Sequence, residues 1–209
     1  MPKLRKVFYK SRGWNVSRGI MRKTETVRLL EVLEDVARLD HIENKTFIEI
    51  GTARGETARG IVEFLTNLKC RSRLYSFDIV DRTRLWQRYF GKTSTRYCEA
   101  RHVVMSGVDG ASRIAYPPES VVFVLVDGCH CRECVAADIE AWAPLIVPGG
   151  FFLFHDYAES EKEIAAVGPQ PYHGEDRFCG VKEAVDECLP ENFERLGRRF
   201  SLFTAKRKT

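Results

Sequence analysis

The sequence predicts an α/β sandwich on a largely parallel sheet, and three observations carry that prediction. Short apolar, β-branched stretches alternate along the chain with segments of helical period. One stretch, Val121–Val126 (VVFVLV), is apolar throughout, as a strand buried on both faces must be. An earlier one, Thr46–Ile50, runs into G-T-A-R-G, a glycine turn followed by a helix.

The elements follow in order. Thr24 opens a helical pattern in which Val27, Leu30, Val32, Leu33, Val36 and Leu39 form an apolar stripe. After Asn44-Lys45 comes the strand Thr46–Ile50, then a helix over Glu56–Leu68. Arg73–Asp78 reads as a strand, Arg82–Phe90 as a helix and His102–Met105 as a short strand. Ala111–Ala115 begins a short helix that stops before Pro117-Pro118. Val121–Val126 is the buried strand and Glu133–Ile146 a helix. Pro148-Gly149-Gly150 reads as a turn and Phe151–His155 as another strand. The polar stretch 158–178, with two glycines and two prolines, is the longest loop candidate and fits a functional lid. Val181–Leu189 is a helix, and Phe193–Arg199 and Ser201–Lys206 are two closing strands about a tight turn.

In open sheets of this kind, ligands sit beyond the carboxyl ends of the strands at the switch point. That rule selects Glu49–Gly55, Asp78, Ser106–Asp109, Asp127–His130 and His155-Asp156. Gly51 and Gly55 let the backbone turn sharply and approach a ligand, but the G-x-G-x-x-G of a pyrophosphate cradle is absent. Asp78, at the end of the second strand, stands where nucleotide-binding sheets place an acid for the ribose hydroxyls. Asp127 and Asp156 end two strands joined by one helix and are expected to be neighbours. With His155 they offer oxygen and nitrogen ligands suited to Mg²⁺ or Mn²⁺. His130, three residues past Asp127, is placed to accept a proton from a hydroxyl nucleophile.

Composition bounds the reading. The 209 residues are 44% apolar and 30% charged, ordinary for one globular domain, with a net charge of +4. Eight basic residues and no acid fall in 1–23, so the rest of the chain carries −4. The expected organisation is a basic N-terminal arm over 1–23 and a catalytic domain over 24–209. The plain reading of the arm is solvation; the sharper one is contact with an anionic partner. No 18-residue apolar run predicts a membrane span, and no export signal precedes the seven cysteines, so a reduced cytoplasmic protein is expected.

Five stretches carry a family resemblance. F-I-E-I-G-T-A-R-G-E-T-A, S-F-D-I-V-D, V-L-V-D-G-C-H, D-I-E-A-W-A-P-L-I-V-P-G-G-F-F-L-F-H-D-Y and G-V-K-E-A-V-D-E appear in family order across residues 46–189. The chain resembles class I S-adenosylmethionine (SAM)-dependent methyltransferases. More narrowly, it is similar to the small-molecule O-methyltransferase branch of macrocin-type and cephalosporin-hydroxylase-like proteins (methyltransferase domain family 24). The resemblance implies a Rossmann-like, doubly wound, seven-stranded sheet with an antiparallel last strand. It implies that Glu49, Gly51, Thr52 and Gly55 border SAM, that Asp78 binds its ribose, and that Ser106, Gly107 and Asp109 lie beside its adenine. Asp127 then serves both cofactor and catalysis with His130, and Asp127, His155 and Asp156 are the metal ligands, His155 being the variable position of the three. The implied partner is a small hydroxylated acceptor; the oligomeric state stays open, a homodimer included.

Two features depart from that pattern. Cys129, Cys131 and Cys134 put three thiols around His130. They are ligand types for zinc or an iron–sulfur cluster, yet only one Cys-x₂-Cys pair is present, and buried thiols are the ordinary reading. The basic arm is the second. Residues 69–101 are also basic, with Trp86, Tyr89 and Phe90 interleaved, which fits either an amphipathic helix with solvated arginines or a nucleic-acid surface. A nucleic-acid methyltransferase, an NAD(P) oxidoreductase and a thiol–metal protein therefore remain alternatives.

Overall fold

Seven strands form one sheet in the order β3-β2-β1-β4-β5-β7-β6. The computed structural model describes residues 21–90 (without the Tyr89 side chain), 96–167 and 180–209. In chain order the elements are α1 (Lys23–Ala37), β1 (Lys45–Ile50), α2 (Glu56–Asn67), β2 (Ser72–Asp78), α3 (Thr83–Phe90), β3 (Cys98–Val104) and α4 (Gly107–Arg113). There follow β4 (Val121–Val126), α5 (Arg132–Trp142), β5 (Ile146–Phe154), α6 (Glu161–Val167), α7 (Val181–Cys188), β6 (Phe193–Arg199) and β7 (Leu202–Arg207). Strands β1 to β5 pair in parallel, and β7 pairs antiparallel with both β5 and β6. This is the Rossmann-like sandwich with an antiparallel last strand. The strand order reverses at β1, so the crevice opens between the carboxyl ends of β1 and β4.

Two apolar layers sandwich the sheet. Phe47, Phe123, Leu125, Phe151 and Leu153 pack toward α1 and α2. Their sequence neighbours Ile48, Val124, Val126, Phe152 and Phe154 pack toward α5 and α7. Side chains alternate faces along a strand, so a sheet covered on both sides needs apolar residues at consecutive positions. That is why VVFVLV is unbroken. Helix α1 buries Leu29, Leu30, Val32, Leu33 and Val36 on one stripe, each contributing about 1.5–3 kcal/mol relative to exposure.

The structure shifts several boundaries. Ile146 begins β5 rather than ending a helix, and Pro148-Gly149-Gly150 lies inside that strand. Gly149, at φ 80°, takes up a register shift between β4 and β5, so the expected turn is a bulge. β3 begins at Cys98, four residues before the expected start, because it is an edge strand whose first exposed positions, Glu99 and Arg101, are charged. α4 begins at Gly107, where Ser106 accepts the backbone N–H of Asp109 as an N-cap. Within the expected loop 158–178, residues Glu161–Val167 form α6, since E-K-E-I-A-A-V is a good helix former and Ser160 accepts from Glu163 N–H. The rest of that stretch, 168–178, and residues 1–20 of the expected arm lie outside the described residues. Lys23, counted in the arm, is the first residue of α1, and Met21 is buried. In the basic stretch, Trp86 and Phe90 stack at 4.1 Å and pack on the core, while Arg84 and Arg88 face outward.

Candidate functional site

The carboxyl ends of β1, β2, β4 and β5 bring most of the expected residues to one rim. Gly51 N–H bonds to Phe77 O, and Asp127 N–H to Ile50 O, so the chain leaves both central strands still tied to its neighbours. Gly51 sits at φ 100°, and a Cβ there would lie 2.1 Å from Asp127 O. Only glycine fits where the two strand ends touch. Gly55, at φ 72°, caps α2.

Asp78 closes the far side of this turn. Its Oδ2 accepts Ala53 N–H at 3.0 Å and its Oδ1 accepts Val80 N–H at 2.9 Å, with Arg82 Nε 3.6 Å away. Each oxygen keeps a lone pair for a ligand hydroxyl. Ser106 and Asp109 lie at the next strand end, but their polar atoms serve the α4 cap, and Asp109 also pairs with Arg113 at 3.0 Å. Gly107 is buried, its carbonyl accepting Trp142 Nε1. A Cβ on Gly107 would meet Asp138 Oδ1 at 2.5 Å.

Glu49 is sealed beneath this surface. It accepts a hydrogen bond from Ser76 Oγ, which lies 2.7 Å from Thr52 Oγ1. His102 Nε2 accepts Arg82 N–H at 3.1 Å, so Nδ1 carries the ring proton and faces Thr52 Oγ1 and Ser76 O. Thr52 is thus held by a chain from Glu49 through Ser76 and His102. Burial pushes the Glu49 carboxyl up to about 8, with Asp127 adding to the rise against the Ser76 hydrogen bond. A folded value above the ordinary 4.5 means that the native state holds this proton more tightly than the unfolded chain. Stability should therefore fall as pH rises between those two values. Glu49→Gln is expected to flatten that part of the melting temperature–pH curve, measured by calorimetric scans of both proteins.

A cluster of acids and imidazoles fills the β4–β5 side. Asp127, His130 and Asp156 place ligand atoms within 4.8 Å of one another. His130 Nε2 lies 3.4 Å from Asp156 Oδ2 and 3.9 Å from Asp127 Oδ1. His155 Nδ1 stands 3.0 Å from Asp127 Oδ1 and 3.2 Å from Asp156 Oδ2, while its Nε2 faces Glu25 Oε2 at 3.6 Å. Burial works against the His155 charge, but Asp127, Asp156 and Glu25 overcome it and hold the ring protonated far above its ordinary value. Asp127, against its own burial, is held down to about 2 by His155 and His130. Asp156 occupies the left-handed region at φ 55°, which aims its side chain back toward Asp127. Two carboxylates flanked by two imidazoles suit a divalent ion of the Mg²⁺–Mn²⁺ class. The ligand atoms that converge are those of Asp127, His130 and Asp156, whereas the expected ligand His155 bridges the two carboxylates as an imidazolium, whose Nδ1 has no lone pair for an ion.

Sequence reasoning missed Glu25, His102 and Asp138. Glu25 reaches His155 from α1 and also accepts Ser201 N–H at 3.0 Å, a link across 176 residues that no local pattern announces. Asp138 does carry a signal, since it lies on the buried stripe Val135, Asp138, Ile139 and Trp142 of α5. Burial raises it to about 7.

Beside His130, the Cys129 and Cys131 sulfurs are 3.3 Å apart, and Cys134 joins them within 4.8 Å. None of the six described cysteines forms a disulfide. Among the described residues, no helix is long and apolar enough to cross a membrane.

Comparison with known proteins bears on this rim. A methyltransferase-domain family model matches residues 48–157, more than half of the chain. No curated protein sequence matches. Among solved structures, the MycE methyltransferase of the mycinamycin biosynthetic pathway, in complex with Mg and S-adenosylhomocysteine, superposes with a TM-score of 0.63 at 18% identity. The match covers 96% of this chain and 54% of MycE, so the chain spans about half the length of that protein. A Corynebacterium glutamicum protein gives a TM-score of 0.58 at 16% identity, covering 97% of this chain and 98% of its own. A protein from Clostridium thermocellum described as an rRNA methylase gives 0.59 at 12% identity, covering 90% and 100%.

Proposed function

The chain belongs to the methyltransferase-domain family of class I SAM-dependent enzymes, and from that premise we propose that it methylates an oxygen of a small hydroxylated acceptor, such as a sugar or a natural-product intermediate. The observation that carries the reading is the meeting, on one rim, of the Gly51 turn, Asp78 and the Asp127–His130–His155–Asp156 cluster.

Each residue then has a task. Gly51, Thr52 and Gly55 shape the turn against which the cofactor lies, with Glu49 acting on it through Ser76 and Thr52. Asp78 accepts the ribose hydroxyls. Gly107 leaves room beside the adenine, and Ser106 and Asp109 fix that loop through the α4 cap. Asp127 and Asp156 would hold a divalent ion, with His155 fixing the orientation of both carboxylates from behind. His130 Nε2 accepts the acceptor's proton, and Asp127 and Asp156 stabilise the imidazolium that results. When bound, SAM supplies an electrophilic methyl, and a divalent ion supplies Lewis acidity that lowers the pKa of the acceptor oxygen. Such a displacement needs the oxygen in line with the methyl, so positioning carries much of the rate. MycE, an enzyme of a biosynthetic pathway crystallised with Mg, supports this acceptor class and the ion. A disulfide-free set of described cysteines suits a reducing, cytoplasmic setting.

Calorimetric titration tests the reading. The full chain is expected to bind SAM, and Asp78→Ala to weaken it by about 10- to 100-fold through the lost charge-assisted hydrogen bonds. No heat of binding at millimolar SAM would overturn the proposal, and unchanged affinity in Asp78→Ala would remove the ribose assignment.

A further inference from the structure

The thiol trio beside His130 is used by none of these steps. Cys131 is the N-cap of α5 and Cys134 stands three residues on, so both face the same side of the first turn. The extended backbone at Cys131 (φ −73°, ψ 148°) sets Cys129 over the same spot. The Cys129 and Cys131 sulfurs are 3.3 Å apart, and all three lie within 4.8 Å of one another. Cys131 is buried, while Cys129 and Cys134 are half-buried, so the group is reachable from outside without being open to bulk water.

We propose that Cys129, Cys131 and Cys134 form a three-thiolate site for a thiophilic ion of the Zn²⁺ class, separate from the oxygen-rich cluster next to it. Zinc–sulfur bonds of about 2.3 Å in a tetrahedron place the sulfurs about 3.8 Å apart, a spacing bracketed by the 3.3 Å Cys129–Cys131 separation and the 4.8 Å that bounds the trio. An all-sulfur donor set favours Zn²⁺ over Mg²⁺ or Mn²⁺, whereas Asp127 and Asp156 favour the hard ions. Two chemically distinct metals thus bind neighbouring positions without exchanging. The N-terminus of α5 adds favourable potential for the thiolates. Arg132 contributes less, being committed to Glu183 and Glu187. Among the described residues the group offers three sulfurs and no fourth side chain. His130 lies between two of the ligands, and the ion would fix the segment that presents it.

Cobalt titration of the full, chelator-treated and reduced protein under anaerobic conditions tests this. We expect one equivalent of Co²⁺ to give thiolate-to-cobalt charge-transfer absorption that Zn²⁺ abolishes by displacement. Cys134→Ser should lower that absorption and weaken binding by about tenfold or more, and Cys129→Ser should do the same. Asp156→Asn and Cys188→Ser should leave the bands intact. No charge-transfer absorption in the unaltered chain would overturn the proposal. So would bands that survive in both Cys129→Ser and Cys134→Ser, or bands that vanish in Cys188→Ser. Far-ultraviolet circular dichroism of each variant separates ligand loss from unfolding.

Discussion

Asp127→Asn is expected to destabilise the fold by about 3 kcal/mol at neutral pH, in the range found when one partner of a buried ion pair is removed. The reason lies in His155, which is 4% exposed and protonated among Asp127, Asp156 and Glu25. Removing one of those carboxylates leaves the buried charge less well compensated. The folded Asp127 value of about 2 lies below the ordinary 3.8, so its contribution is complete above the ordinary value and lost as pH falls through the folded one. Urea unfolding at several pH values checks this: the gap between the two proteins should be widest near neutrality and close toward pH 2. A constant gap would show that the effect is packing rather than charge. The same variant should lose Mn²⁺ binding at the oxygen-rich cluster, read by paramagnetic resonance of the free ion.

Gly51→Ala is expected to cost about 3 kcal/mol or more and to abolish SAM binding. The added methyl would stand 2.1 Å from the Asp127 carbonyl oxygen, and a φ of 100° is one that alanine resists. The strand ends would have to part, spoiling both the cofactor turn and the aim of Asp127. Gly197→Ala is the control. It shares a positive φ of 80° but has nothing within 4 Å of the new methyl, so it should cost about 1 kcal/mol and leave SAM binding untouched. Thermal unfolding and calorimetry on both variants distinguish close contact from dihedral strain. Equal losses would refute the contact argument.

These predictions rest on residues that the sequence already placed at strand ends, and the reason is topological. A parallel sheet puts every carboxyl end on one rim, so Gly51, Asp78, Asp127 and Asp156 were legible from strand order alone. The interior strands were equally legible, because burial on both faces demands an unbroken apolar run. Edge and bulged strands were not. β3 alternates polar with apolar residues, and β5 carries a Pro-Gly-Gly that reads as a turn until β4 is beside it. Long-range partners were the least visible. Glu25 meets His155 only because α1 packs across β5. The three cysteines were legible together from their spacing within six residues, and the structure adds that their sulfurs converge within 4.8 Å.

The position of β7 has a consequence for the border of the sheet. β6 pairs only with β7, and β7 also covers the outer edge of β5. Without β7 the first five strands keep all their parallel partners, but β5 would present an open edge at Phe151–Phe154 and β6 would have nothing to pair with. A chain lacking β7 would therefore carry an apolar, unpaired strand at its border, the kind of edge that recruits other chains. β7, lying between β5 and β6, closes that edge. The turn into β7 also seats Ser201 against Glu25, which faces His155. Completion of the surroundings of His155 thus waits for β7 to enter the sheet.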